Sequence, residues 1–285
     1  MSAPGPTVVV VPCFNEERRL DERAFTDLVA GDEVRLVFVD DGSTDATGRV
    51  LDRLAAGCEG IEVVSLAANT GKAEAVRRGL LVAVRGGAGT VGYYDADLAT
   101  PPAELLRLTR QLHARPELAG VFGSRVARLG SSIERKALRH YLGRAYATVA
   151  SIALGVTVYD TQCGAKVFRV TDTLVAALAE PFRTSWAFDV ELLDRLLHGS
   201  GDVPGVPVTR FLEVPLETWR DVTGSKLRVA PAFDAFVDLV TIARRRARRS
   251  RPPGGPGPGT AGTVRALRPR PGSGERRATP GDVGT

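Results

Sequence analysis

Three cysteines among 285 residues (Cys13, Cys58 and Cys163) are an odd number at irregular spacing, and none forms a Cys-x-x-Cys pair. That argues against a disulfide framework and fits a reducing compartment. His140 has no His or Cys at metal-binding spacing and reads as structural. No basic stretch followed by an apolar core occupies Met1 to Pro6, so no secretory leader is expected. The longest weakly polar stretch, Ala145 to Tyr159, is too short and too rich in Thr, Ser and Gly to span a bilayer, which predicts a soluble or peripheral protein. Gly-x-Gly-x-x-Gly is missing after the first strand-like run, where Pro12-Cys13-Phe14-Asn15-Glu16 stands instead, and no P-loop follows. Dinucleotide oxidoreductases and P-loop nucleotidases are thereby set aside.

What is present is unevenly charged. The formal net charge is +5. Arg244, Arg245, Arg246, Arg248 and Arg249 supply five positive charges, and six Arg against Glu275 and Asp282 supply four more beyond Ser250, which leaves the first 243 residues at −4. The basic character belongs to the C-terminus. A net acidic body with no basic face readable from sequence predicts no nucleic-acid partner. Residues 250–285 are mostly Pro, Gly and Arg without apolar periodicity and read as a disordered, solubilising tail.

The rest can bury a full α/β core. Thr7–Val11, Val34–Asp40, Ile61–Leu66, Thr90–Asp95 and Ala119–Gly123 are short β-branched or apolar runs suited to buried parallel strands. Helical patterns lie between them at Glu16–Val29, Asp45–Ala56, Lys72–Val84 and Pro102–Ala114, the last with Thr100 as an expected cap. Alternation of this kind predicts a mostly parallel, doubly wound sheet with helices on both faces and ligands beyond the carboxyl ends of its strands.

Polar clusters fall at those ends. Asn15-Glu16-Glu17 follows the first strand, Asp40-Asp41-Gly42-Ser43 the second, Asn69-Thr70-Gly71-Lys72 the third and Asp95-Ala96-Asp97 the fourth. Four clusters at four successive strand ends make one site. Asp95 and Asp97 can converge on a divalent cation, Mg²⁺ or Mn²⁺, shared with a pyrophosphate; alone, such a tripeptide is more often a solvated turn. Asp40 and Asp41 are acceptors suited to a base N–H or to ribose hydroxyls. Gly42 permits a tight turn, and Ser43 or Asp45 can cap the next helix. Lys72 opens a helix beside Gly71, where a cation and free backbone N–H groups favour phosphate. A nucleotide diphosphate held by carboxylates and a metal is the ligand this set suits.

Val9 to Glu17, Val39 to Asp45 and the Asp-Ala-Asp resemble family 2 glycosyltransferases of the GT-A (nucleotide-diphospho-sugar transferase) fold. Asp95 to Pro101, Gly123-Ser124-Arg125, Asp160 to Phe168, Trp186 to Glu191 and Gly224-Ser225-Lys226 are similar to the dolichyl-phosphate β-glucosyltransferase branch, in order from about Thr7 to Arg249. The resemblance implies a metal-dependent inverting transferase that moves a hexose, usually glucose from UDP-glucose, onto a polyprenyl phosphate at the cytoplasmic face of a membrane. GDP-mannose as donor, or a soluble hydroxyl acceptor, is the alternative. It further implies that Pro12, Asn15, Glu16, Asp40, Asp41, Lys72 and Asp95 line the donor and that Asp95 and Asp97 hold the metal. Arg125, Arg139 and Lys226 would meet the acceptor phosphate, with Asp97, Asp189, Arg125 and Lys226 as the catalytic set. Asp189 and Glu191 could be a base, acceptor-site organisers, or first-turn acids that stabilise a helix dipole.

Three departures from the family pattern stand out. Ala73-Glu74 follows Lys72 where a glycine is expected, placing a carboxylate beside a phosphate-facing turn, and Ala165 stands where an aromatic residue is usual. A transmembrane helix, common among relatives, has no counterpart. The expected layout is therefore a catalytic domain over 1–230, an Arg-ended amphipathic helix over 231–249, and the tail. In that helix Phe233, Phe236, Val237 and Val240 repeat at helical spacing before the arginines. Such a stripe suits an anionic membrane surface or ordinary packing against the domain.

Overall fold

The computed structural model of the chain describes residues 5–126, 132–133, 137–220 and 237–244, and for 137–142 the backbone alone. The first strand, β1 (Thr7–Cys13), shows how the sequence builds the centre. Val8 and Val10 face one side and Val9 and Val11 the other, and all four are buried. A strand apolar at every position belongs in the middle of a sheet covered on both faces.

Around it the chain lays down α1 (Glu22–Val29), β2 (Arg35–Asp40), α2 (Thr47–Gly57), β3 (Ile61–Ser65), α3 (Lys72–Arg85), β4 (Thr90–Tyr94), α4 (Pro102–His113) and β5 (Gly120–Ser124). Then come β6 (Ser132–Ile133), α5 (Ala137–Leu154), β7 (Ala165–Arg169), α6 (Asp172–Ala179), α7 (Phe188–His198), β8 (Phe211–Pro215) and β9 (Thr218–Trp219). Seven strands form one sheet in the order β3-β2-β1-β4-β7-β5-β8; β7 runs antiparallel to both its neighbours and the remaining pairs are parallel. One face packs against α3, α5, α6 and α7 and the other against α1, α2 and α4. The expected mostly parallel sheet with helices on both faces is the one observed.

Two local expectations need correction. Helix α1 begins at Glu22 rather than Glu16, because the Asp21 carboxylate accepts the Ala24 N–H at 3.0 Å and caps it there. Residues 16–20 instead form a turn in which the Arg19 and Leu20 amides donate to the Glu16 carbonyl. Thr100 does not cap α4 with its side chain; it is buried, and its carbonyl accepts the Tyr94 hydroxyl.

Residues 237–244 are helical. Leu239 and Ile242 are buried in the cluster that includes α3, α6 and α7, and the Asp238 carboxylate accepts the Trp186 and Ala187 amides at the start of α7. Val237 and Val240 remain 48% and 47% exposed, so these two valines of the expected stripe lie off the packed face. Phe233, Phe236, the arginines 245–249 and the tail lie outside the described residues. Among the described residues no helix is long and apolar enough to cross a membrane.

Candidate active site

The carboxyl ends of β1, β2 and β4 and the turn after β3 meet at one edge of the sheet. The first two loops lock each other. Asn15 adopts a left-handed backbone conformation (φ 54°), and its side-chain oxygen accepts the Thr44 and Asp45 amides at 2.8 and 3.4 Å. Its own amide donates to Ser43 Oγ, and those of Glu16 and Glu17 donate to Thr47 Oγ1. Ser43 therefore ties the loops together, and Asp45 receives the Thr47 amide and hydroxyl at the start of α2. Gly42 sits at φ 67°, where a Cβ would collide with the backbone of Ala68 and Asn69.

The two adjacent aspartates divide the work. Asp40 is buried and accepts the Ser43 amide at 3.0 Å. Asp41 is 2% exposed, and its carboxylate is spent inside the protein on the Thr70 amide and hydroxyl and the Gly71 amide, at 2.7 to 2.8 Å. It holds the turn that leads into α3. Pro12, at the end of β1, pairs with Val39 beside them.

That turn delivers Lys72, whose ammonium lies 2.5 Å from Asp95 Oδ1. Burial would lower the Lys72 pKa, but Asp95, Asp189 and Asp97 outweigh it and hold the ammonium charged. Glu74 does not compete for this lysine: Arg77 and Arg78 bind its carboxylate at 2.7 to 2.8 Å. The carboxylate that the sequence places beside the Lys72 turn is thus already paired with two arginines.

Asp95 and Asp97 follow β4. Burial and the like charge of Asp95 raise the Asp97 pKa, opposed by the Ala99 amide, Lys72 and Arg19. Where one carboxylate raises the proton affinity of another, a hard cation would relieve the repulsion, and oxygen ligands suit Mg²⁺ or Mn²⁺. No cluster of three or more His, Cys, Asp or Glu at metal spacing occurs among the described residues, so a diphosphate would have to supply further ligands. Gly164 forms the wall behind Asp95. Its carbonyl accepts the Asp95 amide at 2.9 Å, and a Cβ there would collide with the Asp95 carboxylate.

Across that wall lie two arginines, Arg125 and Arg144. Arg125, just beyond the end of β5, binds Asp160 through Nε and Nη2 at 2.6 and 2.7 Å, and its Cζ lies 5.6 Å over the Trp219 ring. Burial would lower the Arg125 pKa, but Asp160, with Asp95 contributing, keeps it above the ordinary arginine value. Arg125, Arg144, Tyr146, Tyr159 and Gln162 line a cleft of about 200 Å³, with Arg144 Cζ 5.4 Å over the Tyr159 ring. Glu213, on β8, accepts the Tyr159 and Asp160 amides and fixes that loop.

Asp189 lies in the first turn of α7 and is buried against Lys166 of β7, 3.0 Å away. Burial lifts the Asp189 carboxyl to about 8 and pulls the Lys166 ammonium down to about 8. Glu191 serves the core instead, where its carboxylate takes the Arg183 and Thr184 amides, the Thr184 hydroxyl and Arg195. The structure therefore brings Asn15, Glu16, Asp40, Lys72, Asp95, Asp97, Arg125 and Asp189 to one edge. Lys226 and the Arg139 side chain lie outside what is described. Lys166, Gly164, Asp160 and Glu213 had no role assigned from sequence, although the first three lie within the Asp160–Phe168 motif. A glycine and a lysine breaking an otherwise apolar run were the available signal.

Comparison with known proteins bears on the family that the sequence motifs resemble. Residues 8–173 match glycosyl transferase family 2. A dolichyl-phosphate beta-glucosyltransferase of Trichomonas vaginalis is 30% identical over 250 residues, covering 83% of this chain and 70% of its own. A polyprenol monophosphomannose synthase of Mycolicibacterium smegmatis is 29% identical over 225 residues, covering 79% of this chain and 83% of its own. Among solved structures, glucosyl-3-phosphoglycerate synthase from Mycobacterium tuberculosis, in complex with Mn²⁺, UDP-glucose and phosphoglyceric acid, superposes with a TM-score of 0.60 at 20% identity, over 84% of this chain and 80% of that one.

Proposed function

Because the chain belongs to glycosyl transferase family 2, we propose that it transfers a hexose, glucose from UDP-glucose, onto a polyprenyl phosphate with the help of a divalent cation. One observation carries the reading. A carboxylate pair suited to a metal diphosphate and an arginine-lined cleft suited to a phosphate acceptor adjoin across a single wall, Asp160 to Gly164.

The roles follow from charge. Asp40 and the Pro12–Glu17 loop would bind the nucleoside, and Asp95 and Asp97 would hold the metal. When bound, the cation offsets charge that develops on the departing nucleotide diphosphate. Lys72 adds positive charge beside the same phosphates. Arg125, with Arg139 and Lys226, would clamp the acceptor. A phosphate monoester has its second pKa near ~6 and is largely dianionic at neutral pH, so its oxygen attacks the anomeric carbon without a strong base. What the chain supplies is cationic clamping and in-line placement, and a single displacement inverts the anomeric centre. A lipid acceptor brings the enzyme to a membrane surface from the cytoplasmic side.

The test is UDP release from UDP-glucose with Mn²⁺ or Mg²⁺, with and without a polyprenyl phosphate, using Asp97→Ala as control. Release that needs both the lipid phosphate and Asp97 is the expected result. Metal-dependent release indifferent to the lipid moves the acceptor to a soluble hydroxyl. Turnover with GDP-mannose alone replaces the donor, in keeping with the mannose synthase relative.

A further inference from the structure

Lys166 sits where a charge is hardest to keep. It lies on β7, between Tyr93 of β4 and Phe122 of β5 in the sheet register, with its side chain 5% exposed. A buried ammonium costs several kcal/mol unless its hydrogens are satisfied. Here one bond goes to Asp189 Oδ1 at 3.0 Å, a second to the Cys163 carbonyl at 2.6 Å, and the Tyr93 ring centroid lies 5.1 Å from Nζ.

Each bond leads to a different half of the site. Asp189 stands at the start of α7. The Cys163 carbonyl immediately precedes Gly164, which receives the Asp95 amide and presses against the Asp95 carboxylate. Ala165 pairs with Tyr94, so any shift in the strand at 163–166 is felt directly by the residue before Asp95.

We propose that Lys166 is a positioning residue that sets Asp189 and the Asp95 loop relative to each other, an inference that rests on the functional reading of those two residues. The ammonium acts through its two partners and touches neither sugar nor phosphate. The mutual burial of the pair gives the arrangement its stiffness, since neither partner has solvent to turn to.

The experiment uses the full chain with Lys166→Met, Lys166→Arg, Asp189→Asn and the Lys166→Met/Asp189→Asn double variant, each first shown to unfold cooperatively. Amide hydrogen exchange in a peptide spanning 94–97 needs no ligand and reports the Asp95 anchor. It should rise by about tenfold or more in Lys166→Met and by less than about twofold in Asp189→Asn. In UDP release, kcat should fall about 100-fold in Lys166→Met, and the double variant should be no slower than that single one. Lys166→Arg, which keeps the charge, should recover about tenfold over Met. A folded Lys166→Met with wild-type exchange at 94–97, or kcat losses that multiply in the double variant, overturns the proposal. Should Lys166→Met not fold, Lys166→Gln takes its place with the same two readings. Wild-type protein that turns over no nucleotide sugar, while exchange responds as expected, overturns the functional reading and leaves the Lys166 link standing.

Discussion

At the scale of single residues, the site is a matter of which carboxylates are free. Asp189 faces Lys166 from β7 and the more distant Lys72 from α3, and burial holds its carboxyl near 8. Its ionised form therefore accumulates only as pH rises through that value. With a hydroxyl acceptor, turnover should climb through an ascending limb centred near pH 8 that Asp189→Asn removes; a phosphate acceptor, which attacks without a strong base, should show no such limb. With a phosphate acceptor that variant should keep partial activity, and with a hydroxyl acceptor, which needs a base, none. Gly164→Ala makes a sharper test of placement, because the added methyl must displace the Asp95 carboxylate. The expected outcome is a rise of about tenfold or more in the Mn²⁺ concentration needed for half-maximal UDP release, with the unfolding midpoint changed little. The meeting of Asp95, Asp97 and Lys72 at one edge was legible in the sequence because all three follow strand ends. The division between Asp40 and Asp41 was not. Two identical neighbours differ only in which way the backbone turns, and one of them is consumed by the Thr70–Gly71 turn.

At the scale of elements, the same aspartate becomes a predictor of stability. Removing the Asp41 carboxylate leaves the Thr70 and Gly71 amides without their acceptor, so Asp41→Ala should cost about 2–3 kcal/mol, read as a lower denaturant midpoint. A variant with wild-type stability and lost donor affinity would instead return Asp41 to the nucleotide. The first five strands and four helices could be read because their apolar periods are clean, Val8 to Val11 being the extreme case. Strands β7 and β8 could not. Lys166 and Arg169 break the apolar run of β7, and β8 lies at a sheet edge, where Phe211, Leu212 and Glu213 are only partly buried. The start of α1 was misread because its pattern gives no weight to Asp21, whose hydrogen bond to Ala24 fixes the boundary.

At the scale of the whole molecule, residues 237–244 brace the side of the sheet covered by α3, α6 and α7, through Leu239, Ile242 and the Asp238 carboxylate. Leu239→Ala should destabilise the protein by about 2–5 kcal/mol in chemical denaturation, whereas Val240→Ala, on the exposed side, should change it by less than about 0.5 kcal/mol. The stripe read from sequence offered a membrane surface or packing against the domain; its two described valines face outward, while Leu239 and Ile242, off that stripe, take the packed side. The sheet order carries a consequence for how the protein is made. In a chain growing from its N-terminus, β1 to β4 leave the ribosome before β7, yet β4 and β5 never pair directly and must wait for β7 to come between them. Until residue 169 has emerged, β4 presents a bare edge with Asp95 and Asp97 just beyond its end. The nascent chain therefore carries both carboxylates before it owns the Gly164 wall behind them, and that side of the sheet stays open until the antiparallel strand closes the gap.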